Sequence, residues 1–434
     1  MQSDFLVIGG GVIGLNIARR LRQTFPGASV HLVEKEEDCG LHASGRNSGV
    51  LHAGFYYSPD SLKAKFTWNG NRLLTEYCDT KRIPLNKCGK LVVAKDQNDH
   101  AGLDELLRRG RVNGIPLEEI SEKDAKTIEP RVKTFARALF SPATSTVDPT
   151  QVMRAIKADA IEEGVQLHCG VRYLSSSKGQ VVTTKGTHHV GYVVNAAGLY
   201  ADRIAREFGF SEHYRILPFK GLYLYSSEPA GSIRTNIYPV PDLKNPFLGV
   251  HFTVAASGKA KIGPTAIPGL WREHYGGIAN FHWNEFLEVA MRGVGLLATS
   301  NFDFKTLAIR EMAKYSKATM VSLASQLAEG VTAEHYQNWG KPGIRAQLVD
   351  IRKRKLEMDF VLEGDKRSMH VLNAVSPAFT CSLPFSEHVC QQIKATLSRG
   401  STNEDFGHRQ YGVCGTISAA SFTGIPSGSN AHWV

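Results

Sequence analysis

Phe5-Leu6-Val7-Ile8-Gly9-Gly10-Gly11-Val12-Ile13-Gly14, joined by a short helical stretch to Val30-His31-Leu32-Val33-Glu34, is the part of the sequence on which the fold turns. Four consecutive apolar residues before the glycines read as a parallel strand buried on both faces. Val12, Ile13, Ile17, Ala18 and Leu21 recur at helical spacing and stop near Phe25-Pro26-Gly27. A second apolar strand then ends on an acid. In such a unit Gly9 allows the tight turn out of the strand, and Gly11 lets a pyrophosphate approach the backbone. Gly14 lets the helix lie close to the sheet. The helix start at Val12 and Ile13 offers free N–H groups and a positive dipole to phosphate. Glu34, 20 residues after Gly14, is placed to accept hydrogen bonds from ribose hydroxyls. Strand, glycines, helix, strand and acid in register predict a dinucleotide-binding βαβ unit, which FAD and NAD satisfy equally.

Working outward, 434 residues exceed one ordinary core and suggest two domains. The net charge of +10 raises the question of nucleic acid or an anionic membrane surface. Lys and Arg are spread along the chain, however, and the runs at 107–111 and 352–355 are short. Neither is interleaved with aromatic residues as a single-strand groove would be, so no nucleic-acid partner is expected. The seven cysteines form no CxxC pair and no metal-ligand spacing. Neither a disulfide framework nor a metal site is expected, and a reducing, cytoplasmic setting follows. The apolar stretch 5–18 is too short and glycine-broken to span a bilayer, and no signal peptide is read. Contact at the inner face of a membrane stays open.

Ala43-Ser44-Gly45-Arg46-Asn47-Ser48-Gly49-Val50-Leu51-His52-Ala53-Gly54-Phe55-Tyr56-Tyr57 comes shortly after Glu34. Ser44, Asn47 and Ser48 have groups that could hydrogen-bond phosphate or a flavin ring, and Arg46 could offset negative charge. The segment resembles that of the D-amino-acid-oxidase-like FAD oxidoreductases, in the L-2-hydroxyglutarate dehydrogenase/oxidase branch. Ordered likenesses follow at 141–149, at Asn195-Ala196-Ala197-Gly198, at 247–253, at Gly343-Ile344-Arg345-Ala346-Gln347 and at Asn373-Ala374-Val375-Ser376-Pro377-Ala378. The last loop departs from the family pattern at Val375, Phe379 and Cys381, and residues 401–434 match nothing.

The resemblance implies FAD rather than NAD, with Val171, Ala197, Gly198, Ser376, Pro377 and Ala378 joining the cofactor contacts. A helix beginning past Ser376 would turn its N-terminus toward the flavin. The implied fold is α/β: a discontinuous Rossmann-like FAD-binding domain (1–75, 145–212 and 341–400) and an α+β substrate domain (76–144 and 213–340). The latter is expected to hold a mainly antiparallel sheet with helices, and 401–434 form a tail of unassigned role.

The implied reaction is oxidation of L-2-hydroxyglutarate to 2-oxoglutarate by hydride transfer to the flavin, with oxygen or a membrane quinone taking the electrons. Amino acids, amines and glycerol phosphate are the alternative substrates, and a basic FAD-fold protein acting only by surface binding is the non-enzymatic reading. The hydroxyl proton needs a base, and His52 and His251 are the candidates. Carboxylates need cations, for which Arg345 comes first, then Lys220 and Arg46, with Tyr56, Tyr57 and Tyr238 as hydroxyl donors.

Overall fold

The computed structural model describes residues 2–177, 179–243, 247–299 and 304–398; the tail 401–434 lies outside them. The glycine-rich unit folds as strand β1 (Gln2–Ile8), helix α1 (Val12–Thr24) and strand β2 (Val30–Glu34). β1 is the middle of a parallel array. Its order is Gln166–Cys169, β2, β1, Gly186–Asn195 and Ser368–Val371. Antiparallel strands extend it at Gln180–Thr183, Tyr173–Ser177 and Leu362–Gly364. Strands gathered from three separated stretches, 2–34, 166–195 and 362–371, make this a discontinuous α/β unit. Its core joins Val7, Leu15, Ile17 and Leu21 to Phe385, Val389 and Ile393 of the last helix, Ala378–Ser398. That helix packs on α1 and on α2 (Leu62–Thr80).

The second large sheet has the order Asn338–Trp339, Leu224–Tyr225, Ala260–Gly263, His251–Val254, Asn236–Pro239, Lys90–Val93, Arg137–Ser141 and Glu118–Ser121. Every pairing is antiparallel except that of Asn236–Pro239 with Lys90–Val93, in keeping with the mainly antiparallel expectation. Helix Lys317–Ser325 covers it through Met320, Val321 and Ala324. Among the described residues no helix is long and apolar enough to cross a membrane.

The stretch 216–225 divides between two sheets, with Tyr214–Gly221 in one and Leu224–Tyr225 in another. Strand Gly343–Asp350 pairs along its whole length with Tyr214–Gly221, from Tyr214 opposite Asp350 to Gly221 opposite Gly343. Ser368–Val371 then joins the parallel array. Pairing between segments more than a hundred residues apart leaves no local signature, so it could not be read from periodicity.

Candidate active site

The parallel strands end, on their carboxyl side, at a cavity of about 850 Å³, within the ~300–1,000 Å³ of small-molecule sites. Open α/β sheets bind their ligands at this edge. The dinucleotide turn is sterically determined. Gly9 has φ +110°, and a Cβ there would lie 2.5 Å from the Ala196 carbonyl oxygen. A Cβ on Gly14 would lie 1.9 Å from the Gly9 carbonyl oxygen. Gly14 is therefore a packing glycine and does not line the cavity, whereas Gly9, Gly11, Val12 and Ile13 do.

The Val12 N–H, in the first turn of α1, donates to Ser44 Oγ at 2.9 Å. Glu34 accepts from the N–H of Gly10 at 2.7 Å and of Glu36 at 2.9 Å, one at each oxygen. A carboxylate oxygen has a second lone pair, so the acid both pins the turn and retains acceptor capacity toward the cavity it lines. Val171 is fixed by its N–H on the Glu34 carbonyl at 2.8 Å and lines the same wall as Ala197 and Gly198.

The loop after β2 is held by its own polar groups. The Asn47 amide donates to the carbonyls of Ala43 and Ser44 and accepts from the Gly49 N–H. Ser48 Oγ accepts from the Val50 N–H at 3.3 Å. Arg46 donates to the Leu41 carbonyl and lies over the Tyr275 ring, 4.4 Å from its centroid. All three residues line the cavity, but the Asn47 side chain is committed to the loop. Ser376, Pro377 and Ala378 line the opposite end, where the 21-residue helix Ala378–Ser398 begins. Two helix N-termini and a glycine turn without room for a Cβ thus open on one cavity. This donor set fits a dinucleotide carrying an anionic-reducible ring.

Other walls come from the second large sheet and from the sheet that holds Tyr214–Gly221 and Gly343–Asp350. His251 is buried, stacks on Tyr238 at 3.7 Å between centroids, and its Nδ1 faces the Gly249 carbonyl at 2.8 Å. A carbonyl only accepts, so Nδ1 carries the proton and Nε2 keeps its lone pair. Burial pushes the His251 pKa down to about 3, helped by the charges of Lys90, Lys314 and Lys261. His52 also lines the cavity; burial and Lys90 hold it well below the usual histidine range, and its Nδ1 has no hydrogen-bond partner. Both candidate bases are thus neutral imidazoles.

Arg345 and Tyr57 line the cavity. Arg345 donates to Gln347 Oε1 at 3.0 Å and lies over Phe247, and burial lowers its pKa to about 10. Burial raises the Tyr57 phenol. Lys220 is not brought to the cavity. In the ladder Phe219 lies opposite Arg345 and Lys220 opposite Ile344; since successive side chains alternate faces, Arg345 and Lys220 point to opposite sides. Phe219 takes the cavity position instead.

Two lysines escaped sequence reading. Lys63, 4% exposed, lines the cavity. Lys90 is fully buried with no hydrogen-bond partner among the described residues, its ammonium 4.6–4.8 Å from the ring centroids of Phe55, Tyr56 and Tyr238. A lysine beginning a helix or a strand ordinarily reads as solvated.

Comparison with known proteins agrees with this geometry. The family model described as FAD dependent oxidoreductase (DAO) matches residues 4–356. The chain is 36% identical over 417 residues to the human protein named L-2-hydroxyglutarate dehydrogenase, mitochondrial, covering 90% of this chain and 88% of that one. It is 31% identical over 404 residues to the L-2-hydroxyglutarate dehydrogenase of Escherichia coli (strain K12), covering 92% and 94%. Among solved structures, the FAD-bound L-alpha-glycerophosphate oxidase of Mycoplasma pneumoniae superposes with a TM-score of 0.71 at 21% identity, covering 91% of this chain and 95% of that one. Glycine oxidase from Geobacillus kaustophilus gives 0.66 at 20%, with the same coverage; these two likenesses speak to the fold alone. The chain belongs to the FAD-dependent oxidoreductase (DAO) family, in the branch of the L-2-hydroxyglutarate dehydrogenases.

Proposed function

We propose that the protein oxidises L-2-hydroxyglutarate to 2-oxoglutarate. The observation that carries this reading is one cavity in which the dinucleotide turn meets a neutral imidazole, His251, and a buried guanidinium, Arg345. In this reading Gly9, Gly11, Val12, Ile13 and Ser44 hold the pyrophosphate, and Glu34 the ribose. Val171, Ala197 and Gly198 line the middle, and Ser376, Pro377 and Ala378 hold the ring end. Bound FAD supplies a two-electron acceptor for the substrate hydride.

The chain's own residues do the rest. His251 Nε2 takes the hydroxyl proton as the carbinol becomes a carbonyl, and the Gly249 carbonyl keeps the ring in the tautomer that accepts. His52 is the second candidate for that proton. Arg345 binds a carboxylate, and Tyr57 donates its hydroxyl. Phe219 and Phe247, with centroids 4.7 Å apart, form an apolar wall that limits water around these charges. An anionic substrate raises the pKa of a neighbouring imidazole, which strengthens the base only when substrate is present.

The electrons then pass to oxygen or to a quinone; the name dehydrogenase of the relatives favours the quinone. A membrane quinone would require peripheral contact, and Ile278, Phe281, Trp283, Leu287 and Met291 are exposed along one segment suited to it. The test is turnover of L-2-hydroxyglutarate with an artificial electron-accepting dye. One 2-oxoglutarate per two electrons is expected. Activity confined to an amino acid, an amine or glycerol phosphate would overturn the substrate assignment.

A further inference from the structure

Lys63 is an electrostatic anomaly. It stands in the first turn of α2, where the helix dipole disfavours a cation. It is nearly fully buried, and among the described residues no carboxylate lies in salt-bridge range of its ammonium. Asp359 is close by, but its carboxylate is taken up by the N–H groups of Leu62 at 2.7 Å, Lys63 at 3.0 Å and Phe360 at 2.8 Å. The ammonium lies 5.9 Å from the Tyr57 ring centroid and 5.8 Å from that of Phe360. The groups that act on it are Arg345, Asp359 and the Cys381 thiol. His52 instead feels burial, Lys90 and His251, and His251 feels burial, the Gly249 carbonyl, Lys90, Lys314 and Lys261. Lys63 and Arg345 thus line one cavity as buried cations, and the charge of Arg345 is felt at Lys63.

We propose that Lys63, with Arg345, forms a two-cation clamp for the carboxylate remote from the carbinol carbon, and that this clamp selects dicarboxylic over monocarboxylic 2-hydroxy acids. This rests on the reading of the site as one for L-2-hydroxyglutarate. An anion bound beside both cations offsets their mutual repulsion in low dielectric. Burial and Arg345 lower the Lys63 pKa to about 7. A bound carboxylate reverses that shift, and Lys63 takes up a proton as the diacid binds above this pH.

The test compares L-2-hydroxyglutarate with L-2-hydroxybutyrate, which lacks the second carboxylate, on the FAD-loaded wild type and on Lys63→Met and Lys63→Arg. Loss of one charge-assisted contact should lower kcat/KM of Lys63→Met for the diacid roughly 10- to 100-fold, mainly through KM. The monoacid should change little, and Lys63→Arg should recover much of the diacid preference. Equal losses for both acids, or for neither, would overturn the clamp.

Binding of 2-oxoglutarate and 2-oxobutyrate to the wild-type holoenzyme, followed by flavin fluorescence against pH, covers the case of misfolded variants. Diacid affinity should fall above about pH 7 while monoacid affinity does not. Parallel pH profiles would overturn the proposal. If L-2-hydroxyglutarate fails to reduce the wild-type flavin while glutarate still binds with that profile, the substrate reading falls and the clamp stands.

Discussion

At the residue scale, His251 and Lys90 carry the sharpest expectations. His251→Gln keeps a polar side chain without a basic nitrogen. The anaerobic rate of flavin reduction should fall roughly 100- to 10,000-fold at unchanged flavin content; a near-normal rate would pass the role to His52, tested by the same substitution. Lys90 is different, because it does not line the cavity. Burial lowers its pKa from 10.5 to about 7. Between those values the unfolded chain binds the extra proton, so this group adds stability as pH rises through the window, and its full cost is present below about 7. Lys90→Met should therefore stabilise the fold by roughly 1–4 kcal/mol at or below neutral pH, less toward pH 10.5, as thermal unfolding across the window would show. A lower Tm would mean that the ammonium holds the Phe55, Tyr56 and Tyr238 rings in place. Neither Lys63 nor Lys90 was legible in the sequence, because lysine burial depends on which distant elements close over it. The reverse happened at Lys220, whose side of the sheet is set by its register with Arg345.

At the element scale, the glycine turn was readable because its demands are local and steric. Gly9 needs a positive φ, and Gly14 has no room beside the Gly9 carbonyl; no tertiary knowledge is required to expect glycine there. Gly14→Val should force α1 off β1 and abolish FAD retention, seen as flavin released per mole of purified protein. Retention of a full complement of flavin would show that the turn does not control cofactor binding. In the second sheet, only His251–Val254 of the stretch 247–254 enters the ladder, and Phe247 packs against Phe219, a distant partner that no local pattern announces.

At the scale of the whole molecule, the discontinuous α/β architecture was legible from ordered likenesses along the chain, while the pairing of Gly343–Asp350 with Tyr214–Gly221 was not. The cavity draws on the parallel array, on the second large sheet and on the sheet of Tyr214–Gly221 and Gly343–Asp350, so cofactor binding should couple them. Adding FAD to flavin-depleted protein at a hundred times Kd should raise stability by about 2.7 kcal/mol, read as a single cooperative shift in Tm; an unshifted transition would mean that the cavity is not the cofactor site. The most direct test adds L-2-hydroxyglutarate, and separately its D-enantiomer, to the purified flavoprotein without oxygen. The L-acid is expected to bleach the flavin absorbance and yield 2-oxoglutarate while the D-acid does neither, and an oxidised flavin spectrum unchanged by the L-acid would contradict oxidation of this substrate.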